Sequence, residues 1–188
     1  KGREGAENLL KELTKYFSTM ISIISKSGGE LVEFTGDAML VMFPKKTGKS
    51  DDASRAIRAG LRMQRAMKDF AEIQTPTGIV NLKMRIGVHS GKFLTAEIGT
   101  PRRMEHVLLG KDVQKAKLTE SNGANERVNV SESGYDLAKN DFRFEDGNPE
   151  YHLVVDDLTA ENLGDYEITP VGRRMASSVL FDKKDKKE

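Results

Sequence analysis

Leu31-Val32-Glu33-Phe34 and Met39-Leu40-Val41-Met42-Phe43 are two short apolar-rich runs with Gly36-Asp37 between them. A glycine followed by a short polar residue suits a tight reversal, so this spacing predicts a β-hairpin. Upstream of it, apolar residues recur at steps of one, three or four: Leu9, Leu10, Leu13, Tyr16, Phe17, Met20, Ile21 and Ile24. That is the period of a helix with one buried face, and Ser27-Gly28-Gly29 ends it. Downstream, Pro44 to Ser50 reads as a lysine-rich loop, and Ser50-Asp51-Asp52 offers an N-cap and first-turn acids for a second helix. This helix is expected to bury Ala53, Ala56, Ile57, Leu61, Gln64 and Met67, with Phe70 near its end. Arg55, Arg58, Arg62 and Arg65 fall together on its other face and read as a solvated stripe.

Thr75-Pro76-Thr77-Gly78 breaks the chain again. A long strand region is expected from Ile79 to His89, a second run from Phe93 to Ile98, and a strand end at Val107-Leu108-Leu109-Gly110. A helix from about Asp112 to Glu120 follows, then Val128-Asn129-Val130-Ser131 as strand and N-cap for a short helix around Tyr135. Phe142-Arg143-Phe144 and Tyr151 to Val155 predict a closing hairpin around Asp146-Gly147. Beyond Asp156 the chain turns polar and ends in Lys183-Lys184-Asp185-Lys186-Lys187. We read residues 1–156 as one domain and 157–188 as a polar tail or linker. The order of elements indicates an α+β fold, a sheet with helices packed on it.

The 188 residues suit a single domain with a sizeable core, and 37% of them are hydrophobic. The absence of cysteine excludes thiol catalysis, cysteine-ligated zinc and a disulfide framework. Thirty basic side chains face 29 acidic ones, so the net charge of +1 gives no pull toward nucleic acid or a membrane surface. No apolar run approaches the roughly 20 residues that span a bilayer, so no membrane segment is expected. With no initial methionine and no signal-like apolar stretch, the chain reads as an excised piece of a longer cytoplasmic protein.

Four blocks, in order and spacing, resemble the class III nucleotidyl cyclase family, the adenylyl and guanylyl cyclase catalytic domain. They are Gly28-Gly29 through Phe34-Thr35-Gly36-Asp37-Ala38, then Met84-Arg85-Ile86-Gly87-Val88-His89-Ser90-Gly91, then Ile98-Gly99 through Arg103-Met104-Glu105-His106 to Leu109-Gly110. The fourth is Asp112-Val113-Gln114-Lys115-Ala116, continuing into Glu120-Ser121. The resemblance runs from about residue 5 to 156. It implies a ferredoxin-like palm with a central, mainly antiparallel sheet. It also implies pairing of two such domains, as a homodimer or as a heterodimer with a second cyclase-type domain, with active sites at the shared interface. The implied substrate is ATP or GTP, with Mg2+ or Mn2+ as cofactor.

In this chemistry the ribose 3′-hydroxyl attacks the α-phosphorus of the triphosphate and pyrophosphate leaves. The family holds two metal ions with a pair of aspartates. Asp37 matches the second of that pair, although Gly-Asp between strands is elsewhere most often an ordinary turn. The first belongs to a family strand that precedes the first helix, and this chain begins at the helix. Glu33 and Val107 fall where the family reads the base. Glutamate at 33 is the residue type of guanylyl cyclases, or simply a solvent-facing strand residue, and valine offers a purine no hydrogen bond. The family's catalytic asparagine matches Gln114, and its arginine matches Leu118, four residues on and so on the same helical face. Leucine has no charge to offer a developing phosphorane. Lys117 is adjacent but about 100° round the helix. The lysine that holds the triphosphate is expected near Tyr151-His152-Leu153, where none stands. The resemblance therefore implies a cyclase-like domain with a largely degenerate catalytic set, the alternatives being a silent dimerisation or regulatory domain and a nucleotide sensor. His89, His106 and His152 lack metal-ligand spacing, and no Ser-His-Asp arrangement is legible.

Overall fold

Helix α1 (Gly2–Lys26) ends as its glycines require: Gly28 takes φ 77°. The amides of Gly28 and Gly29 then bond back to the carbonyls of Ser25 and Ile24 at 3.0 and 2.9 Å. These paired bonds cap the orphan carbonyls of the last turn. The protein is seen here in a computed structural model that describes residues 2–49, 51–75 and 78–159. The expected hairpin follows α1, with β1 (Glu30–Thr35) antiparallel to β2 (Ala38–Met42).

Helix α2 (Asp52–Ala66) continues into a 3-10 turn (Met67–Phe70). Met63, Met67 and Phe70 from this segment bury Met20, Ile23 and Ile24 of α1. The apolar stripe of α1 is longer than the surface that meets it, since Leu9 and Leu10 near its start stay exposed. The other end of α2 joins a second core, in which Ile57 packs with Val88, Val128, Val130, Phe142 and Val154.

That second core belongs to a four-stranded sheet. Its strands are β5 (Ile86–Val88), β8 (Val128–Ser131), β9 (Phe142–Asp146) and β10 (Tyr151–Asp157), in the order β5-β8-β10-β9. The pair β5–β8 is parallel, and the pairs β8–β10 and β10–β9 are antiparallel. The short helix α4 (Glu132–Ala138) starts directly after β8. The other described strands form three two-stranded ladders: β1–β2, β3 (Ile73–Thr75) with β4 (Gly78–Val80), and β6 (Leu94–Thr100) with β7 (Arg103–Leu109). Helix α3 (Lys111–Ser121) lies against β5, where a Cβ on Gly87 would fall 2.2 Å from the Glu120 nitrogen.

Two expectations from the sequence are corrected. The long strand Ile79 to His89 is two strands with different partners, because β4 pairs with β3 and β5 pairs with β8. Between them the Met84 carbonyl leaves the ladder and accepts from Gln64 Nε2 at 3.0 Å and from the Glu126 amide at 2.8 Å. Nor is the arginine stripe of α2 solvated along its length, since only Arg65 of the four is exposed. The Arg55 side chain is 12% exposed and donates to Asp51, to the Gly28 carbonyl at 3.0 Å and to the Pro44 carbonyl at 2.7 Å. Arg58 Nε reaches Asp157 Oδ2 at 2.8 Å, and Arg62 donates to Ser27 Oγ. The polar face of α2 is roofed by the turn after α1, the loop after β2 and the end of β10. Arg55, Arg58 and Arg62 serve there as clamps.

Burial pushes the Asp157 carboxyl up, but the bonds from Arg58 and Thr159 outweigh it and hold the group below the usual carboxylate range. Strand β10 thus ends in a charge pair that ties it to α2. Of the expected tail, 157–188, the first residue is instead the buried end of β10, and 160–188 lie outside the described residues.

Candidate active site

Asp37 stands at the tip of the β1–β2 hairpin. Thr35 and Ala38 pair directly, leaving a two-residue loop in which Gly36 has φ 65° and Asp37 does not take a positive φ. A positive angle at the first loop position alone marks the II′ type of turn, which follows the twist of the strands. The Asp37 side chain is exposed, and its charge is felt by Tyr16 of α1: burial, with the Asp37 carboxylate added, pushes that phenol above its usual range.

Behind Asp37 a cleft of about 670 Å³ opens between β2 and β5. Met39, Val41 and Phe43 line one wall and Ile86, Val88 and His89 the other, with Asp112 and Lys117 of α3 also contributing. Strand β2 bonds to β1 and strand β5 to β8, and among the described residues neither has a ladder partner on its second edge. Two strand edges with free hydrogen-bonding groups thus frame the cleft.

The other expected site residues distribute unevenly around it. Glu33 is half-buried on β1; its Oε1 accepts from Thr35 Oγ1 at 3.1 Å and lies 3.7 Å from Lys117 Nζ. The hairpin that carries Asp37 is thereby tied to α3. Lys117, whose helical step pointed it away from the arginine position, lines the cleft together with Ala116 and Glu120. Leu118 is 53% exposed and Gln114 is also exposed, and neither is among the residues lining the cleft. Val107 sits mid-strand in β7 opposite Ala96, where its half-buried side chain offers no polar group.

The histidines go to three separate places. His106 is exposed opposite Glu97 on the β6–β7 ladder. His152 stacks on Tyr135 with ring centroids 3.9 Å apart and bonds Glu132 Oε2 at 2.8 Å. His89 is buried beside Ser131 and Asp112. The sequence had concealed this last cluster because its members are scattered over 43 positions and meet only through the β5–β8 pairing. It is no hydrolytic triad: the Ser131 hydroxyl is buried and faces Nδ1, the carboxylate faces Nε2, and no nucleophile is left accessible.

Mg2+ and Mn2+ require a clustered set of oxygens. Among the described residues no three of the acidic, histidine or cysteine side chains gather to hold a metal ion, so Asp37 alone does not fit a two-metal site. Nor, among those residues, is any helix long and apolar enough to cross a membrane.

With the geometry in place, comparison with known proteins identifies the scaffold. The family model described as "Adenylate and Guanylate cyclase catalytic domain" matches residues 2–154. Adenylate cyclase 1 of Rhizobium meliloti is 23% identical over 133 residues, 71% of this chain and 20% of that protein. The terminal-differentiation-specific adenylate cyclase of Dictyostelium discoideum is 32% identical over 114 residues, 61% of this chain and 5% of that protein. The chain thus spans a fifth or less of these two curated relatives. Among solved structures, the guanylyl cyclase Cya2 superposes with TM-score 0.70 at 27% identity, covering 84% of this chain and 85% of that one. The adenylyl cyclase CyaB from P. aeruginosa superposes with TM-score 0.68 at 26% identity, covering 80% and 84%. The architecture is accordingly the ferredoxin-like palm of the cyclase catalytic domains.

Proposed function

This chain belongs to the adenylate and guanylate cyclase catalytic domain family, and from that premise we propose that it is one incomplete half of a nucleotide cyclase site in cyclic-nucleotide signalling, without turnover by itself. The observation that carries the reading is the isolation of Asp37. It lines the cleft without belonging, among the described residues, to any group of three acidic or histidine side chains, while Gln114 and Leu118 sit exposed outside that cleft. In a head-to-tail pair the outer face of α3 meets the other domain's site. Gln114 brings an amide there, and Leu118 brings nothing that stabilises charge. A partner domain, as heterodimer, supplies the missing asparagine, arginine and lysine functions to the Asp37 side.

The cleft accommodates what the chain lacks on its own side. One added strand satisfies the open edges of β2 and β5. Run antiparallel to β2, it enters α1 and then β1 by the right-handed crossover that strands of one sheet favour. We assign that strand to the longer polypeptide upstream of Lys1. It brings a second carboxylate beside Asp37, and with it an oxygen set for Mg2+ or Mn2+. The substrate in this reading is ATP or GTP, with base recognition supplied by the partner; Glu33, tied to Lys117, and Val107 make no choice between them.

A second reading, a silent dimerisation or regulatory domain, is favoured by a different observation. Leu94, Ile98 and Leu109 on one face of the β6–β7 hairpin are 65%, 56% and 49% exposed. An apolar face of this kind suits a partner domain whether or not chemistry follows.

The deciding experiment extends the chain upstream by one strand and measures cyclic nucleotide from ATP and GTP by chromatography, with Mg2+ or Mn2+, alone and with a complementary cyclase domain. Product only with the complementary domain, and lost in Asp37→Ala, is the expected result. Asp37-dependent product from the extended chain alone overturns the incomplete-half reading. No product in any combination, from a folded dimer, establishes the silent one.

A further inference from the structure

The end of β5, the start of α4 and the first turn of α3 converge on one imidazole. The His89 side chain is 6% exposed. Its Nδ1 lies 2.7 Å from Ser131 Oγ and 3.3 Å from Ser133 Oγ. Its Nε2 is fully buried without a hydrogen bond and faces Asp112 Oδ1 at 3.5 Å. Asp112 is itself held firmly. Its Oδ2 accepts the Lys92 amide at 2.8 Å, its Oδ1 lies 3.4 Å from Lys115 Nζ, and the amide bond foremost keeps the carboxyl below the usual carboxylate range. Ser131 occupies the N-cap position of α4, yet its hydroxyl makes no cap bond and turns to the imidazole instead. Ser133 donates to the Ser90 carbonyl at 2.6 Å, closing the cluster.

We propose that His89 is a positioning residue that clips the first turn of α3, through Asp112, to the ends of β5 and β8, and that its protonation tightens the clip. An ionised carboxylate beside Nε2 repels a lone pair there, so the neutral ring carries its hydrogen on Nε2 and accepts from Ser131 at Nδ1. A second proton enters at Nδ1. Ser131 Oγ then accepts, its own O–H re-aims to Ser133 Oγ 3.2 Å away, and the imidazolium draws Asp112 into an ion pair. From α3 the charged groups at the ring are Asp112 and, behind it, Lys115. From the loop after β5 come the Lys92 amide and Ser90 carbonyl, and from β8 and α4 the neutral Ser131 and Ser133. Neighbouring Glu132 is engaged by His152.

The consequence for the cleft rests on the cyclase reading. Helix α3 also carries Lys117, which reaches Glu33 on the hairpin of Asp37, so a shift of the first turn of α3 alters the wall opposite Asp37.

The test needs no catalysis. Backbone amide shifts of Val113 to Ala116 are followed by NMR from pH 5 to 8 in the whole chain, in His89→Gln and in Asp112→Asn. Glutamine keeps an N–H to offer Asp112 but does not titrate. The expected result is a titration of the α3 amides in the unaltered chain that is flat in His89→Gln and reduced at least severalfold in Asp112→Asn. Amides that titrate alike in all three, or that do not titrate in the unaltered chain, overturn the proposal. Should His89→Gln fail to fold, the comparison with Asp112→Asn still decides. Because the readout is structural, a failed cyclase assay leaves this result standing, and the reverse is also true.

Discussion

The four-stranded sheet and the β1–β2 hairpin are built from similar residues and finished to different degrees. In the sheet, Val128, Val130, Phe142 and Val154 are 0–3% exposed, and the buried Asn129 amide finds the Thr119 carbonyl at 2.7 Å. Even its last strand is pinned, by the Arg58–Asp157 pair. In the hairpin, Met39 through Phe43 are all only half-buried and Phe34 is 51% exposed. The contrast separates two duties. Stability resides in the closed core of the four-stranded sheet, and the carboxylate offered to chemistry rides on the more exposed hairpin.

That contrast is open to direct attack. The largest effect is expected from Phe142→Ala, which empties a fully buried site and costs about 3–5 kcal/mol in urea unfolding. Phe34→Ala is expected within about 1 kcal/mol of the unaltered chain, and equal losses would erase the distinction between the two regions. Next, Arg58→Ala strands the Asp157 carboxylate and is expected to cost about 2 kcal/mol.

The same pair sets an acid response. A carboxyl held below its ordinary value contributes stability that is complete above the unfolded pKa, about 3.9, and is lost as pH falls through the lower folded value. Asp157→Asn is therefore expected to flatten the loss of melting temperature on acidification below about pH 4. In hydrogen exchange, the β8 and β10 amides are expected to open only with global unfolding, while the cleft-facing amides of β2 exchange through local opening. Uniform protection across both would show that the hairpin is as firmly held as the sheet. The smallest change is expected for Lys117→Ala, whose half-exposed pair with Glu33 contributes no more than about 1 kcal/mol to stability.

Much of this organisation was legible before the structure. The hairpin around Gly36-Asp37, the α1 stop at Gly28-Gly29 and the closing hairpin around Asp146-Gly147 all rest on local turn chemistry, and each is where its residues put it. The division of Ile79 to His89 was not legible. Nothing within that run says that its first residues pair with β3 and its last with β8. The arginines of α2 were misplaced for a related reason: helical period tells which residues share a face, not which loops will cover it. Asp37 was found from its neighbours in sequence, whereas the cluster of His89, Ser131 and Asp112 required three elements to meet.

By itself, then, the sequence determined most of the elements and their glycine turns, the absence of thiol chemistry, and a single carboxylate on a tight hairpin, because each follows from bonds and sterics within a few residues. Only the tertiary structure decided that the strand edges of β2 and β5 face each other across a cleft, that Lys117 rather than Leu118 turns into it, and that three separated side chains enclose one imidazole. Those features depend on which surfaces pack together, and packing is a property of the whole chain at once.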